Sequence, residues 1–364
     1  MAKTPKIRFK NFSDEWENNN LGEICKIIKG EQINKLSLLE NGKYYVLNGG
    51  ISPSGYINTY NTLENTISIS EGGNSCGYVK FNIEKFWSGG HNYTLNELKT
   101  KTLFLYSFLK AKQQKIMALR VGSGLPNIQK NTLSNISISI PNSEEQEKIG
   151  AFFSKLDKLI SLHQSKFEKL QKIKKACLQN LFPQNNQNTP KIRFKNFSDE
   201  WVESKLKENC IYKSSNLSNS DIEKEGIYDL YDANGIIGKT KKNPQTLDYI
   251  TIIKDGSGVG RVRLLPKNTA FIGTMGALQS NNCINFLYVL LQKMDFSPFV
   301  NGATIPHIYF SDYGNAINKI PKNSEEQEKI GAFFSKLDKL ISLHQSKFEK
   351  LQKIKKACLQ NMFV

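Results

Sequence analysis

A chain of 364 residues is long enough for two or three ordinary domains, and its 39% hydrophobic content, with 21 Phe and 14 Tyr, can fill packed cores. No run of 18 apolar residues occurs and the start, MAKTPKIRFKNF, lacks an apolar leader core, which argues against membrane-spanning and secreted classes and for a soluble, cytoplasmic protein. A net charge of +17 points to a polyanionic partner, nucleic acid first; because lysine far outnumbers arginine, a merely solubilising basic surface is the alternative.

In chain order, the first notable segment is TPKIRFKNFSDEW at Thr4–Trp16, which returns unchanged at Thr189–Trp201. A variable body, residues 17–141, follows it. Short β-type runs such as TISIS and GYVKF alternate there with Gly, Asn and Ser turns. Next comes Asn142–Asn180, whose letters recur without one change at Asn323–Asn361.

This duplicated segment reads as one long helix. Ser143 and Gln146 suggest an S-x-x-Q capping box, with Glu144, Glu145 and Glu147 near the positive end of the dipole. Ile149, Phe153, Leu156, Ile160, His163, Phe167, Leu170, Ile173, Cys177 and Leu181 recur at steps of three and four, the seam of a helix lying along another helix. The second copy places Ile330, Phe334, Leu337, Ile341, His344, Phe348 and Leu351 at the same positions. At 1.5 Å per residue the rod is on the order of 55 Å long, and its obvious partner is its own copy. Phe152, Leu159, Leu162 and Leu178 fall outside the seam and invite further partner helices. Eight Lys against five acids make each copy basic, either a solvated face or a phosphate contact.

A polar linker, Pro183–Asn188, leads into the second start segment and a second body ending at residue 322. That body contains the runs DYITIIK and RVRLL. A linker of about eight residues reaches only about 28 Å, too short to carry the chain back along the rod. The helices are therefore expected to be antiparallel. The expected class is α+β: two mixed strand-rich heads joined by two long antiparallel coiled-coil helices, a pseudo-two-fold dumbbell. The expected divisions are 1–141, 142–182, 183–322 and 323–364.

The two bodies diverge in letters but keep landmarks. SCGYVKF (Ser75–Phe81) parallels GVGRVRL (Gly258–Leu264), and GSGLPNI (Gly122–Ile128) parallels GATIPHI (Gly302–Ile308). A constant frame carrying changed side chains suits two recognition modules for two different targets.

Motifs of catalysis are weak. Ala233–Thr240 lacks the first glycine of a P-loop, and Asp255–Arg261 reads as a turn between strands. Asn243-Pro244 resembles only superficially the motif of adenine methyltransferases. The cysteines (Cys25, Cys76, Cys177, Cys210, Cys283 and Cys358) form no CxxC pair and read as reduced core residues, and no metal site is expected.

The order "variable body, Gly-x-x-x-Pro-x-Ile, Ile-Pro, Glu-Gln-x-x-Ile, Leu-Asp-x-x-Ile and a long Lys-rich helix", twice over, resembles the specificity subunit of type I restriction–modification systems. The residues are Gly122–Ile128, Ile140-Pro141, Glu145–Ile149 and Leu156–Ile160, then Gly302–Ile308, Ile320-Pro321, Glu326–Ile330 and Leu337–Ile341. The resemblance covers nearly the whole chain. It implies two target recognition domains, each reading half of a split double-stranded DNA sequence, with the helices as spacer. It further implies two methyltransferase subunits using S-adenosylmethionine and motor-nuclease subunits using ATP and Mg. The chain itself would be non-catalytic and bind no cofactor.

Base reading requires donors and acceptors displayed to the major groove, with basic groups and backbone amides on phosphates. The candidates in the first head are Asn48, Asn74, Ser75, Tyr78, Lys80, His91, Asn92, Asn127 and Gln129. In the second they are Asp232, Asn234, Lys254, Ser257, Arg261, Arg263, Gln279, His307 and Tyr309. Ordinary turn roles compete at every one. Two other function classes are open at this point. A stand-alone DNA-binding scaffold without methylase partners would bind specific DNA alone; a self-sufficient enzyme would methylate with added cofactor alone.

Overall fold

The computed structural model describes residues 4–122, 124–184 and 187–364; Ser123 and the linker residues Asn185 and Asn186 lie outside the described residues. The chain divides into two compact units, Met1–Gln164 with Ser346–Val364, and Ser165–Gln345. Each long helix therefore begins in one unit and ends in the other.

The first unit contains β1 (Glu17–Asn20), α1 (Leu21–Ile24), β2 (Lys26–Lys29), β3 (Tyr44–Leu47), β4 (Gly55–Ile57), β5 (Thr66–Ser70), β6 (Val79–Asn82), β7 (Trp87–Ser88) and β8 (Asn92–Asn96). Then follow α2 (Thr102–Ala111), α3 (Gln113–Ala118), α4 (Lys130–Ser134), β9 (Ser137–Ile140) and the start of α5 (Ser143–Asn180). An antiparallel sheet runs β2-β8-β5-β6, and TISIS, now β5, is buried along its whole length. Its apolar side chains Ile67 and Ile69 share one core with Phe104, Leu105 and Phe108 of α2. A second sheet, β4-β3-β7, pairs β3 with β7 in parallel. The ribbon β1–β9 pairs Glu17 with Ile140, just before Pro141 and the departing helix.

The second unit repeats this order. It contains β10 (Val202–Lys205), β11 (Cys210–Ser214), β12 (Tyr228–Tyr231), β13 (Ile236–Thr240), β14 (Tyr249–Ile253), β15 (Val262–Leu265), β16 (Thr269–Phe271) and β17 (Met275–Ser280). The helices are α6 (Ile284–Lys293) and α7 (Phe310–Tyr313), followed by β18 (Ile317–Ile320) and α8 (Ser324–Asn361). The sheets β11-β17-β14-β15, β13-β12-β16 and β10-β18 correspond one for one to those of the first unit. The predicted α+β class, two strand-rich heads with two long helices packing together, is the one observed.

Both long helices have 38 residues, about 57 Å at 1.5 Å per residue. Their caps differ from the expectation. Asn142, not Ser143, is the cap: its Oδ1 accepts from Glu145 N at 2.9 Å, and Asn323 does the same for Glu325 N at 2.8 Å. With the helix starting one residue earlier, Gln146 is released for other work. It accepts from Lys101 N at 2.9 Å and donates to Pro141 O at 2.8 Å, tying the helix start to the head. Glu145 is fully buried and meets the Arg8 guanidinium in two bonds of 2.8 Å; Arg193 and Glu326 repeat the pair at 2.7 and 2.8 Å. The duplicated start segment is thus a strap over the helix start, and Phe9 covers Phe152 with ring centroids 6.0 Å apart.

The seam changes character along its length. Ile149, Phe153 and Leu156 are buried, as are Ile330, Phe334 and Leu337. Ile160, His163, Phe167 and Leu170 are half-buried, with Ile341, His344, Phe348 and Leu351 alike. Ile173 is not in the seam: it is 38% exposed, and half-buried Lys174 takes its place, reaching Asp338 at 2.6 Å. The two positions flank the seam on either side at 100° per residue, so the cross-helix ion pair decides between them. Lys355 reaches Asp157 in the first unit in the same way.

These contacts fix the sense of pairing within each unit. In the first, Phe363 beyond the end of α8 lies 5.6 Å from Phe153 near the start of α5, and 6.3 Å from Trp16. In the second, Phe182 beyond the end of α5 meets Phe334 at 6.5 Å and Trp201 at 5.6 Å. Each helix copy thus packs its beginning under one head and closes the core of the other, and the paired segments run antiparallel in both units. Ile7 N bonds Asn361 O and Ile192 N bonds Asn180 O, both at 2.9 Å, so the straps hold the helix ends as well.

Candidate nucleic-acid interface

In each head three loops converge at one end of the four-stranded sheet, and the same backbone hydrogen bonds hold them. In the first head Gly73 N bonds Pro126 O at 3.0 Å, Ile128 N bonds Glu71 O at 2.9 Å, and Glu71 N bonds His91 O at 2.9 Å. In the second Gly256 N bonds Pro306 O, Ile308 N bonds Lys254 O, and Lys254 N bonds Thr274 O, each at 2.9 Å. The loop after α3 is closed by bonds in both directions between Val121 and Asn127, at 2.8 and 2.9 Å; Asn301 and His307 close its counterpart, both at 2.8 Å. Positive φ at Gly73 and Gly256, and at Gly122 and Gly302, gives these turns a shape that a side chain would strain.

This frame equates residues whose letters differ. Asn127 corresponds to His307, Tyr78 to Arg261, Lys80 to Arg263 and Glu71 to Lys254. The charge reversal at the last position has consequences. Glu71 accepts from Lys29 Nζ at 2.7 Å and Tyr93 OH at 2.9 Å, whereas Lys254 adds positive charge to a loop cluster that already holds Arg261 and Arg263.

Several predicted residues meet here. In the first head Asn48 Oδ1 accepts from His91 N at 3.0 Å, and Ser75 donates to Gly49 O. Asn74, His91, Asn127 and Gln129 are exposed. Tyr78 has Lys110 Nζ 4.3 Å from its ring centroid, and burial together with Lys355 pushes that ammonium down to about 8. Lys80 donates to Ile51 O at 3.3 Å and sits 5.2 Å from the Tyr45 ring, its pKa lowered by burial. Asn92 is turned inside the head, 3% exposed, and donates to Ser88 Oγ at 2.9 Å.

In the second head Asp232 Oδ1 accepts from Asn234 N at 2.7 Å and Gly235 N at 2.8 Å, shaping the turn between β12 and β13. The segment Ala233–Thr240 is therefore a turn and a strand, with no helix for a phosphate loop to open. Arg261 and Arg263 both donate to Ala233 O, where the first head uses Ser70 and Ser75 on Gly49 O. Ser257 and Tyr309 are exposed; Tyr309 packs edge-on to His307 at 5.0 Å. Gln279 is only 5% exposed on β17, with Gln245 Oε1 at 3.5 Å.

The structure adds exposed Arg120 and Lys130 beside the first cluster, and Leu125 and Ile305 at the loop tips. Aligning GSGLPNI with GATIPHI would have found the last two; the basic pair carries no signal apart from its neighbours. Among the described residues no group of three or more His, Cys, Asp or Glu is placed to hold a metal ion, and no helix is long and apolar enough to cross a membrane. All six cysteines are free.

A family profile described as the type I restriction modification DNA specificity domain matches residues 13–174 and again 198–354. The chain is similar to provisionally named type I specificity subunits of Mycoplasma genitalium, at 28% identity over 99% of this chain and 96% of the relative, and of Mycoplasma pneumoniae, at 29% over 99% of both. Among solved structures it resembles the crystal structure of a type I restriction–modification system S subunit from M. genitalium, with TM-score 0.81, 25% identity and 99% of each chain covered.

Proposed function

Because the chain belongs to the type I restriction–modification DNA specificity family, as a specificity subunit, we propose that its two heads read the two halves of a bipartite double-stranded DNA target. The observation that carries this reading is the pair of loop clusters: one hydrogen-bonded frame, presenting Asn127, Tyr78 and Lys80 in one head and His307, Arg261 and Arg263 in the other. A frame that holds position while the displayed donors change is what reading two different sequences requires. The recognition domains are 1–141 and, with the linker, 183–322; the spacer helices are 142–182 and 323–364.

The identical helices supply two like docking faces for methyltransferase subunits. Leu159 and Leu162 on α5, and Leu340 and Leu343 on α8, are between 36% and 47% exposed and lie outside the seam. In this reading the partner methyltransferases carry S-adenosylmethionine and methylate adenine N6, and motor-nuclease subunits carry ATP and Mg. This chain's own share is to choose the sequence and hold the partners on it.

The test is the methylome, by single-molecule sequencing, of a host expressing the chain with its neighbouring methyltransferase gene. The expected result is a split motif with methyladenine in both halves, lost when the chain is deleted. Soluble expression of both proteins without new methylation would turn the reading toward a DNA-binding scaffold that lacks methylase partners.

A further inference from the structure

At the tip of the loop after α3 stands Leu125, 86% exposed, and the matching loop of the second head carries Ile305, 64% exposed. Isolated surface leucines are ordinary, but these two share one backbone position in loops that keep Gly, Pro and Ile while Gly124 and Asn127 become Thr304 and His307. Each immediately precedes a proline, Pro126 or Pro306, whose carbonyl oxygen accepts from Gly73 N at 3.0 Å or Gly256 N at 2.9 Å. Two residues beyond the proline, Ile128 and Ile308 are each 1% exposed and anchor the loop in the head's core. The tip is therefore held from behind by paired backbone bonds while its branched apolar side chain projects into water. Polar and basic residues follow it in the chain, Asn127 and Lys130 in one head and His307 in the other, where Lys254 O accepts from Ile308 N at 2.9 Å.

An apolar side chain rising from a surface suited to phosphates has few places to be buried. On a duplex these are the base stack and the thymine methyl, and a pinned loop end suits entry between base pairs better than contact along a groove. Resting on the reading of the heads as DNA recognition domains, we infer that Leu125 and Ile305 are wedges, each inserted at one base step of its half-target and unstacking it. The cost of unstacking then depends on the step, so each wedge adds selectivity where no hydrogen bond is made.

The experiment uses the full chain assembled with its methyltransferase and a duplex carrying the methylated motif, with 2-aminopurine placed in turn at each position of both halves except the methylated adenines, which the methyltransferase itself takes out of the stack. Binding should raise the fluorescence at one step in each half. Leu125→Ala should abolish the rise in the first half only, and Ile305→Ala that in the second only; both side chains are exposed, so melting should be unchanged. If the wild-type complex binds and methylates its motif with flat fluorescence throughout, or if the variants keep the rise, the wedge is wrong while the recognition reading stands. Absence of any sequence-specific binding by the assembled complex would overturn both.

Discussion

Glu145 shows how far a single residue's role can lie from its sequence environment. Its place in the first turn of a helix reads as a favourable charge at the dipole's positive end, yet its carboxylate is wholly buried and doubly bonded to Arg8, whose side chain is 12% exposed. Those two bonds hold the guanidinium's pKa above its usual value. Removing one partner of such a pair leaves an uncompensated charge in the interior, which costs about 3 kcal/mol or more, whereas replacing both with apolar groups is often near neutral. Arg8→Met should therefore lower the first unit's stability by about that amount in denaturant unfolding, and adding Glu145→Met should recover most of it. A single variant unfolding at the wild-type midpoint would show that the strap contributes nothing. The pairing was illegible beforehand because 137 residues separate its members, and neither half of the chain signals the other.

At the scale of elements, the long helices were the most legible feature, since a seam at steps of three and four over about nine turns has no competing reading. Their ends were less so. The cap fell on Asn142 because the helix begins one residue earlier than the capping-box pattern implied, and Lys174 displaced Ile173 because Asp338 stood opposite. The aromatic just beyond each copy closes a core: Phe363 sits among Trp16, Phe104, Phe108 and Phe153, and Phe182 among Trp201, Phe286 and Phe334. Phe363→Ala should destabilise the first unit by about 3–5 kcal/mol, the usual range for emptying a buried phenylalanine site. Differential scanning calorimetry should show the first unit melting earlier; coincident wild-type and variant traces would contradict the packing described.

For the whole molecule, the repeated parts carry construction and, in the proposed reading, the unrepeated parts carry choice. Both heads offer the same receiving surface to a helix end, built on Trp16 with Phe104 or on Trp201 with Phe286. Exchanging residues 17–141 for another head that keeps this surface should change one half of the methylated motif and leave the other intact. A change in both halves would contradict modular reading. The sequence by itself determined the repeat, the helices, the strand-rich character of the heads and the family, because these rest on periodicity and on motifs contiguous in the chain. Only the tertiary structure decided which loops meet, that Asn92 and Gln279 face inward while Asn127 faces out, and that Glu71 and Lys254 are counterparts. The reason is physical: a loop's neighbours are set by backbone hydrogen bonds between distant segments, and those bonds use the atoms that every residue shares.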